Sequence, residues 1–150
     1  MNVGRICSRR LVTVNPQLSL KEAAELMREK HVGFLVVVPA DPRSPRSPVG
    51  VLTDRDIVVS AVAQSVDPNA IKVGEVMTTR PAVAGDADPI REALRTMHSV
   101  GVRRLPVVNA RGELTGVLSL DDLLQFIAEE VVDLAGTVRN GQHIEGALRS

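Results

Sequence analysis

The sequence is almost free of aromatic side chains: its 150 residues include two Phe, no Tyr and no Trp. Proteins that hold single-stranded nucleic acid stack the bases on exposed rings, so this scarcity counts against that function. Hydrophobic residues still make up 44% of the chain, and the expected core is therefore aliphatic. Lys and Arg together number 18, as do Asp and Glu, so no net charge attracts DNA or an anionic membrane.

Further absences narrow the class of protein. The single cysteine, Cys7, excludes an internal disulfide and a cysteine-based zinc site, and it suits a reducing compartment. No segment approaches the roughly 18 apolar residues that a membrane span needs, and the N-terminus lacks the apolar run of a signal peptide. We therefore expect a cytoplasmic protein. With no catalytic constellation, metal-ligand spacing or glycine-rich phosphate loop, the sequence predicts neither an enzyme nor a metal site.

What the sequence does contain is a repeat. Val3-Gly4-Arg5-Ile6-Cys7 returns 70 positions later as Val73-Gly74-Glu75-Val76-Met77, whereas Gly50 returns as Gly116 after only 66 positions. The first copy therefore carries four extra residues, which we assign to the proline-rich loop 39–48. We predict two repeats, 1–68 and 69–135, followed by a tail, 136–150. Because each repeat alone is too small for a strong core, the two should pack together about a pseudo-twofold axis.

Hydrophobic periodicity and turn residues predict an α/β chain in which each repeat supplies strands and helices in the same order. In the second repeat, Asp88 is expected to cap a helix that has Pro89 in its first turn. The tail is expected to be frayed or to form a separate short helix. The predicted strands are 11–14, 34–38, 49–52, 82–84, 105–108 and 114–118, and the predicted helices begin at Ser19, Asp54, Asp88 and Leu120.

The most informative stretch is Gly50-Val51-Leu52-Thr53-Asp54-Arg55-Asp56, which is echoed by Gly116-Val117-Leu118-Ser119-Leu120-Asp121-Asp122. In both copies a hydroxyl residue ends a strand and a carboxylate follows three positions later, inside the next helix. A helix start favours a phosphate, and the carboxylate can accept two hydrogen bonds from a ribose diol. The alternative is that Thr53 with Asp56, and Ser119 with Asp122, only cap their helices.

Two arginines, Arg103 and Arg104, precede a predicted strand of the second repeat. One of them could bind a phosphate held near Ser119, because a guanidinium matches phosphate oxygens in a fork geometry. Alternatively, both are ordinary surface residues. The first repeat has Gly33 and Phe34 at these positions, so an anion there would need Arg55 or arginines of the other repeat.

The ordered set of motifs resembles the CBS domain, named after cystathionine β-synthase. The resemblance is carried by Val76-Met77-Thr78-Thr79-Arg80-Pro81, by the segment 101–108 and by the two echoed stretches, and it spans about residues 1–135. It implies a pair of β-α-β-β-α repeats, a Bateman module, with clefts that bind AMP, ADP, ATP, S-adenosylmethionine or NADH. It also implies a homodimer stacked through helices.

The same resemblance implies roles for individual residues. Asp56 and Asp122 would hold ribose, Thr53 and Ser119 would reach the phosphate or sugar, and arginines would serve phosphates. An adenine slot would be lined around Val12, Ala82, Val32, Gly33 and Val102. We therefore predict a regulatory nucleotide-binding module that acts on an unidentified partner protein; the alternatives are a ligand-free dimerisation scaffold and, less favoured, a nucleic-acid-binding protein.

Overall fold

The computed structural model describes residues 1–149 and shows two small sheets, each covered by helices. Its architecture is the predicted mixture of helix and strand in two repeats. The helices are α1 Val3–Ile6, α2 Leu20–Lys30, α3 Asp54–Ile57, α4 Val73–Val76, α5 Ile90–Val100 and α6 Leu120–Arg149, and a π-helical turn, Val58–Val62, continues α3. The strands are β1 Thr13–Val14, β2 Phe34–Val37, β3 Gly50–Thr53, β4 Thr78–Thr79, β5 Ala84–Gly85, β6 Arg104–Val108 and β7 Leu114–Ser119.

The two sheets have the same internal plan. In the first, β1 pairs parallel with β2, and β2 pairs antiparallel with β3. In the second, β5 pairs parallel with β6, and β6 pairs antiparallel with β7. Each sheet covers its own aliphatic core, in which Leu35 and Leu52 of the first half and Leu105 and Leu118 of the second are fully buried.

The segment that begins each repeat packs on the opposite half. Val3 of α1 belongs to the second core, and its N–H donates to the carbonyl of Asp88. Val73 of α4 belongs to the first core, and its N–H donates to the carbonyl of Leu18. The strand β4 accordingly joins the first sheet beside β3, and Ser8 forms the corresponding bridge to Val117 in the second. This reciprocal exchange ties the two halves into one unit.

The two echoed glycines are explained by this exchange. A Cβ on Gly50 would overlap Met77 Sδ, and a Cβ on Gly116 would lie 2.8 Å from Cys7 Sγ. Each exchanged segment therefore crosses a strand where only glycine leaves room. Cys7 is a packing residue in the position that Met77 occupies in the other repeat, as the repeat alignment indicates.

The start of α5 differs from the prediction. Its N-cap is Pro89, not Asp88, and the Asp88 carboxylate instead accepts a hydrogen bond of 2.7 Å from Gly85 N–H. Asp88 stabilises the turn that leads into the helix rather than the helix start itself. The repeat offset of 70 already pairs Pro89 with Ser19, the N-cap of α2.

The tail also differs from both predicted forms. Residues 120–149 form one continuous helix, α6, so Gly136 and Gly141 neither fray it nor divide it; Ser150 lies outside the described residues. A single glycine lowers helix propensity by about 1 kcal/mol without ending a helix, and no proline follows Pro106 to break it. Among residues 1–149, no helix is long and apolar enough to cross a membrane.

Candidate functional site

Both hydroxyl–carboxylate pairs form complete capping boxes. Thr53 N–H donates to Asp56 Oδ2 at 2.8 Å and Asp56 N–H donates to Thr53 Oγ1 at 3.1 Å. Ser119 N–H donates to Asp122 Oδ2 at 2.9 Å and Asp122 N–H donates to Ser119 Oγ at 3.0 Å. The capping alternative is therefore real in both repeats. Each carboxylate can still accept hydrogen bonds from a ligand, because the cap bond goes to Oδ2 alone and each oxygen has two lone pairs.

One of these boxes opens into a cleft between the halves. The cleft has a volume of about 260 Å³, slightly below the roughly 300–1,000 Å³ typical of small-molecule sites. It brings together half of the predicted site residues, three from each repeat. They are Val12, Val32 and Gly33 of the first repeat and Arg104, Ser119 and Asp122 of the second.

Strand register places the polar residues of this cleft side by side. Arg104, at the start of β6, lies opposite Ser119, at the end of β7. The carbonyl of Arg103 accepts the first free N–H of α6, from Leu120, at 2.8 Å. The strand pair thus fixes the helix start and its Ser119–Asp122 box beside the Arg104 side chain.

On the other wall of the cleft, Gly33 takes the position that Arg103 has in the second repeat. Its carbonyl accepts Asp54 N–H at 3.0 Å, and a Cβ on Gly33 would lie 2.7 Å from Asp54 Oδ2. A larger residue would have to displace the Asp54 side chain. The glycine therefore lets the first half approach its own helix start closely.

The first repeat has Phe34 where the second repeat has Arg104, and in the structure these two side chains are neighbours. The guanidinium carbon of Arg104 lies 5.8 Å from the centroid of the Phe34 ring, within the range of a cation–π contact. Phe34 and Arg104 are equivalent positions of the two repeats, 70 residues apart, so this pair lies near the pseudo-twofold axis. Arginine at both positions would place two like charges together; Phe34 instead gives Arg104 an aromatic neighbour.

Sequence reasoning missed several cleft residues. His31, the C-cap of α2, adopts a left-handed conformation with φ 55°, and Arg10 follows the exchanged segment at the N-terminus. Arg10 has a counterpart in Arg80, so the repeat offset was an available signal, whereas nothing local marked His31. The residues missed are Ser8, Arg10, His31, Phe34, Val36 and Val117.

The other predicted residues lie outside this cleft. Thr53, Arg55 and Asp56 are at the start of α3, and Ala82 packs against the second core. Val102 is exposed beside the end of α5. Arg103 lines a separate depression with Asp121 and Leu124, which Arg104 and Ser119 also border.

The cleft combines an apolar wall with a polar end. Val12, Val32 and Phe34 provide apolar surface, while Arg10 and Arg104 line the same cleft as a single carboxylate, Asp122. Two guanidinium groups against one carboxylate suit a ligand that carries both a hydroxyl pair and an anion. Among residues 1–149, no group of His, Cys, Asp and Glu has the arrangement of a metal site.

A larger and more open depression, about 630 Å³, lies under the loop 39–48. Arg46 at its edge donates to Thr13 Oγ1 at 3.1 Å, and the Arg46 carbonyl accepts Leu114 N–H. The proline-rich loop 39–48 is therefore fastened to both halves. None of the predicted site residues lines this depression.

The fold and cleft define a tandem-repeat module in which two α+β halves enclose a ligand-sized space. The sequence model of the CBS domain family matches residues 3–62 and 73–129. The chain therefore belongs to the CBS domain family, as a pair of CBS domains, and CBS-pair proteins are regulatory.

Known proteins with the same organisation support this assignment. Hypoxic response protein 1 of Mycobacterium tuberculosis is 32% identical over 88% of this chain and 85% of its own length. An uncharacterized protein of Methanopyrus kandleri is 32% identical over 83% of this chain, which spans only 62% of that protein. A CBS domain protein from Pyrobaculum aerophilum, solved in complex with AMP, has a TM-score of 0.74 and 32% identity, covering 82% of this chain and 90% of that one.

Proposed function

We propose that this protein is a regulatory module that binds a phosphate-bearing adenosine derivative in the cleft beside Asp122. The observation that carries the proposal is the composition of this cleft. The helix start with Ser119 and Asp122 lies there with one arginine from each half and with an apolar wall from the first half. In this arrangement Asp122 accepts hydrogen bonds from the ribose diol, Arg10 and Arg104 neutralise the phosphate, and Val12 and Val32 contact adenine.

Charge and volume favour AMP among the candidate ligands. S-adenosylmethionine has no phosphate, and its sulfonium and ammonium against one carboxylate leave it with a net positive charge, so a pair of arginines suits it less well than AMP. ATP and NADH are larger than a cleft of about 260 Å³ encloses, and part of either would remain in solvent. The AMP complex of the Pyrobaculum aerophilum protein supports the same choice.

Regulation would follow from the position of the cleft. Val12 and Val32 come from the first half, whereas Ser119 and Asp122 come from the second. A ligand that contacts both halves stabilises one relative arrangement of them over others, by as much as its affinities for the arrangements differ. A partner protein that recognises the favoured arrangement would then respond to the nucleotide concentration.

An equivalent second site around Asp56 is part of the proposal. By the repeat relation, it would draw on Thr53, Ala82, Val102 and Arg103, with Arg55 nearby. We also propose that two copies associate through the exposed face of the π-helical turn, where no element among residues 1–149 covers Val58, Val59 and Val62.

The second candidate function is a dimerisation scaffold without a ligand. It is favoured by the capping boxes, which give Asp56 and Asp122 a structural role that needs no nucleotide. The two functions differ in one measurable property, the affinity for adenosine derivatives.

Isothermal titration calorimetry of protein freed of copurified ligand tests the proposal with AMP, ATP, NADH and S-adenosylmethionine. We expect AMP to bind, and Asp122→Asn to weaken that binding at least tenfold. Asparagine keeps an oxygen that can accept the Ser119 N–H bond, so the substitution removes the charge while preserving the cap.

The matched control is Asp121→Asn, which makes the same change one residue away, outside the cleft. We expect it to change the affinity less than threefold. Asp56→Asn reports on the second site, because it would lower the stoichiometry and leave the Asp122 site intact. If none of the four compounds binds the wild-type protein, the proposed nucleotide binding is wrong and the scaffold function is favoured.

A further inference from the structure

The helix α6 extends well beyond the CBS repeats. The family match ends at residue 129, whereas the helix continues to Arg149. From Ile127 to Arg149 every residue is exposed except Gly136, which is half-buried. About 35 Å of helix therefore projects from the body of the molecule.

One face of this projecting helix is apolar. Six large side chains lie at alternating spacings of three and four, interrupted only at Gly141 and Glu145, and each is between 50% and 82% exposed. They are Leu124, Ile127, Val131, Leu134, Val138 and Leu148, which we call the C-terminal stripe. This is the spacing of a coiled-coil seam, and soluble monomers seldom expose so continuous an apolar row.

The composition of the helix indicates that it needs a partner. Residues 130–149 include three glycines, Gly136, Gly141 and Gly146, each of which weakens an isolated helix. Among residues 1–149, a Cβ at any of them would meet nothing within 4 Å outside the adjoining backbone of the helix itself. The described part of the chain therefore leaves the helix uncovered at these glycines, including Gly141 on the stripe.

Charge along the helix identifies the partner and its direction. Residues 121–133 carry five carboxylates, Asp121, Asp122, Glu129, Glu130 and Asp133, and no Lys or Arg. Residues 134–149 carry Arg139 and Arg149 against Glu145, a net charge of +1 with His143 neutral. A second copy laid antiparallel sets the acidic half against the basic half, whereas a parallel copy sets acid against acid.

We propose that the C-terminal stripe binds the C-terminal stripe of a second copy as an antiparallel helix pair. This surface is separate from the face of the π-helical turn and needs no nucleotide. The pair would join two regulatory modules through their extensions, whichever ligand their clefts bind.

Sedimentation equilibrium of the full chain tests the pairing with two neighbouring valines. Val131 lies on the stripe and is 58% exposed, whereas Val132 is off the stripe and 64% exposed. We expect Val131→Lys to raise the dissociation constant for self-association at least tenfold and Val132→Lys to change it less than twofold. Both side chains are exposed, so neither substitution disturbs a core.

Val62→Lys, on the π-helical turn, separates this surface from the other one. If Val62→Lys weakens association and Val131→Lys does not, the stripe proposal is wrong while the module-face dimer stands. A wild-type chain that remains monomeric at about 100 μM overturns the stripe proposal as well. Neither result bears on nucleotide binding, which is measured independently.

Direction is tested by electron spin resonance distance measurement on a spin label at Leu148→Cys in a Cys7→Ser background. If the pair is antiparallel and centred near Leu134, the two labels lie about 40 Å apart along the axis, since each residue rises about 1.5 Å. Parallel helices would bring them to about 10 Å, the interaxial distance, and that result would overturn the antiparallel arrangement.

Discussion

At Gly116 the exchanged N-terminal segment passes so close that an added Cβ would lie 2.8 Å from both Cys7 Sγ and the Ser8 carbonyl oxygen. The backbone oxygen is held by the Val117 N–H at 3.0 Å, so it cannot move aside freely. Glycine here is required by contact between two segments that are distant in sequence, not by a positive φ.

We predict that Gly116→Ala lowers the free energy of unfolding by about 1–3 kcal/mol, the usual cost of overpacking. The matched control is Gly136→Ala in α6, where no described residue outside the adjoining helix backbone lies within 4 Å of an added Cβ, and it should stabilise the helix by about 0.5–1 kcal/mol. Urea unfolding of the two variants measures both effects. Equal stabilities for Gly116→Ala and the wild type would contradict the close packing of the exchanged segment.

A second residue-scale prediction concerns Cys7. Burial raises the pKa of its thiol above the ordinary value of 9.0, and the charge of Arg9 only partly offsets this. The thiolate fraction at pH 8 is therefore smaller in the folded protein than in the unfolded chain. We predict slower alkylation by iodoacetamide in the native protein, and a stability that falls as pH rises above about 9, where the unfolded chain loses the proton first.

The rate is to be measured at several pH values against the same protein in denaturant. A native thiol that reacts at least as fast as the denatured one at pH 8 would show that Cys7 is an activated nucleophile. The stability arm can be checked with Cys7→Ser, which should lose less stability than the wild type between pH 8 and pH 10.

At the scale of elements, the exchange of α1 and α4 makes an unusual prediction. Val3 is fully buried in the second core and Val73 in the first, although each lies at the start of the other repeat. Each Val→Ala variant should lose about 2 kcal/mol of stability, because a buried side chain leaves a small cavity. Each substitution should loosen the half in which the valine is buried, not the half to which it belongs in sequence.

Hydrogen–deuterium exchange resolves where each variant loosens the structure. Val3→Ala should speed exchange of amides around Leu105 and Leu118, and Val73→Ala should speed exchange around Leu35 and Leu52. If each variant loosened the half nearest to it in sequence instead, the exchange of segments would be wrong.

The repeat pattern predicts most of these elements but not how the first helix of each repeat packs. The alternation and the capping pairs indicated both sheets and the starts of α3 and α6. The pattern could not show that α1 and α4 cross over, because the apolar residues Val3 and Val73 fit equally well against either half. It also placed the start of α5 one residue early, since Asp88 has the chemistry of a cap but bonds to Gly85 instead.

For the whole molecule, a ligand bound between the halves should stabilise both together. At 100 times its dissociation constant, AMP should add about 2.7 kcal/mol, or roughly 5–10 °C in the melting temperature of a chain of this size. Differential scanning fluorimetry measures the shift. A tenfold loss of affinity in Asp122→Asn should remove about half of this site's contribution at the same AMP concentration. A shift that is unchanged in Asp122→Asn would place the ligand elsewhere.

Salt should weaken this binding. Arg10 and Arg104 lie at the surface, where ions screen a charge over about 8–10 Å at physiological ionic strength. We predict that the AMP affinity falls severalfold between about 50 mM and 500 mM NaCl, whereas adenosine, which has no phosphate, shows little change. An equal response of the two ligands would mean that the arginines do not serve the phosphate.

The amino-acid sequence by itself determined the aliphatic core, the duplicated architecture and the two capping boxes, because these depend on composition and on spacings within one segment. Tertiary structure alone decided which residues share a cleft. Val12 and Val32 meet Asp122 rather than Asp56, and His31 and Arg10 join them, since the halves pack face to face and their first segments cross over. Contacts between distant segments leave no periodic trace in either one, so no local pattern could have revealed them.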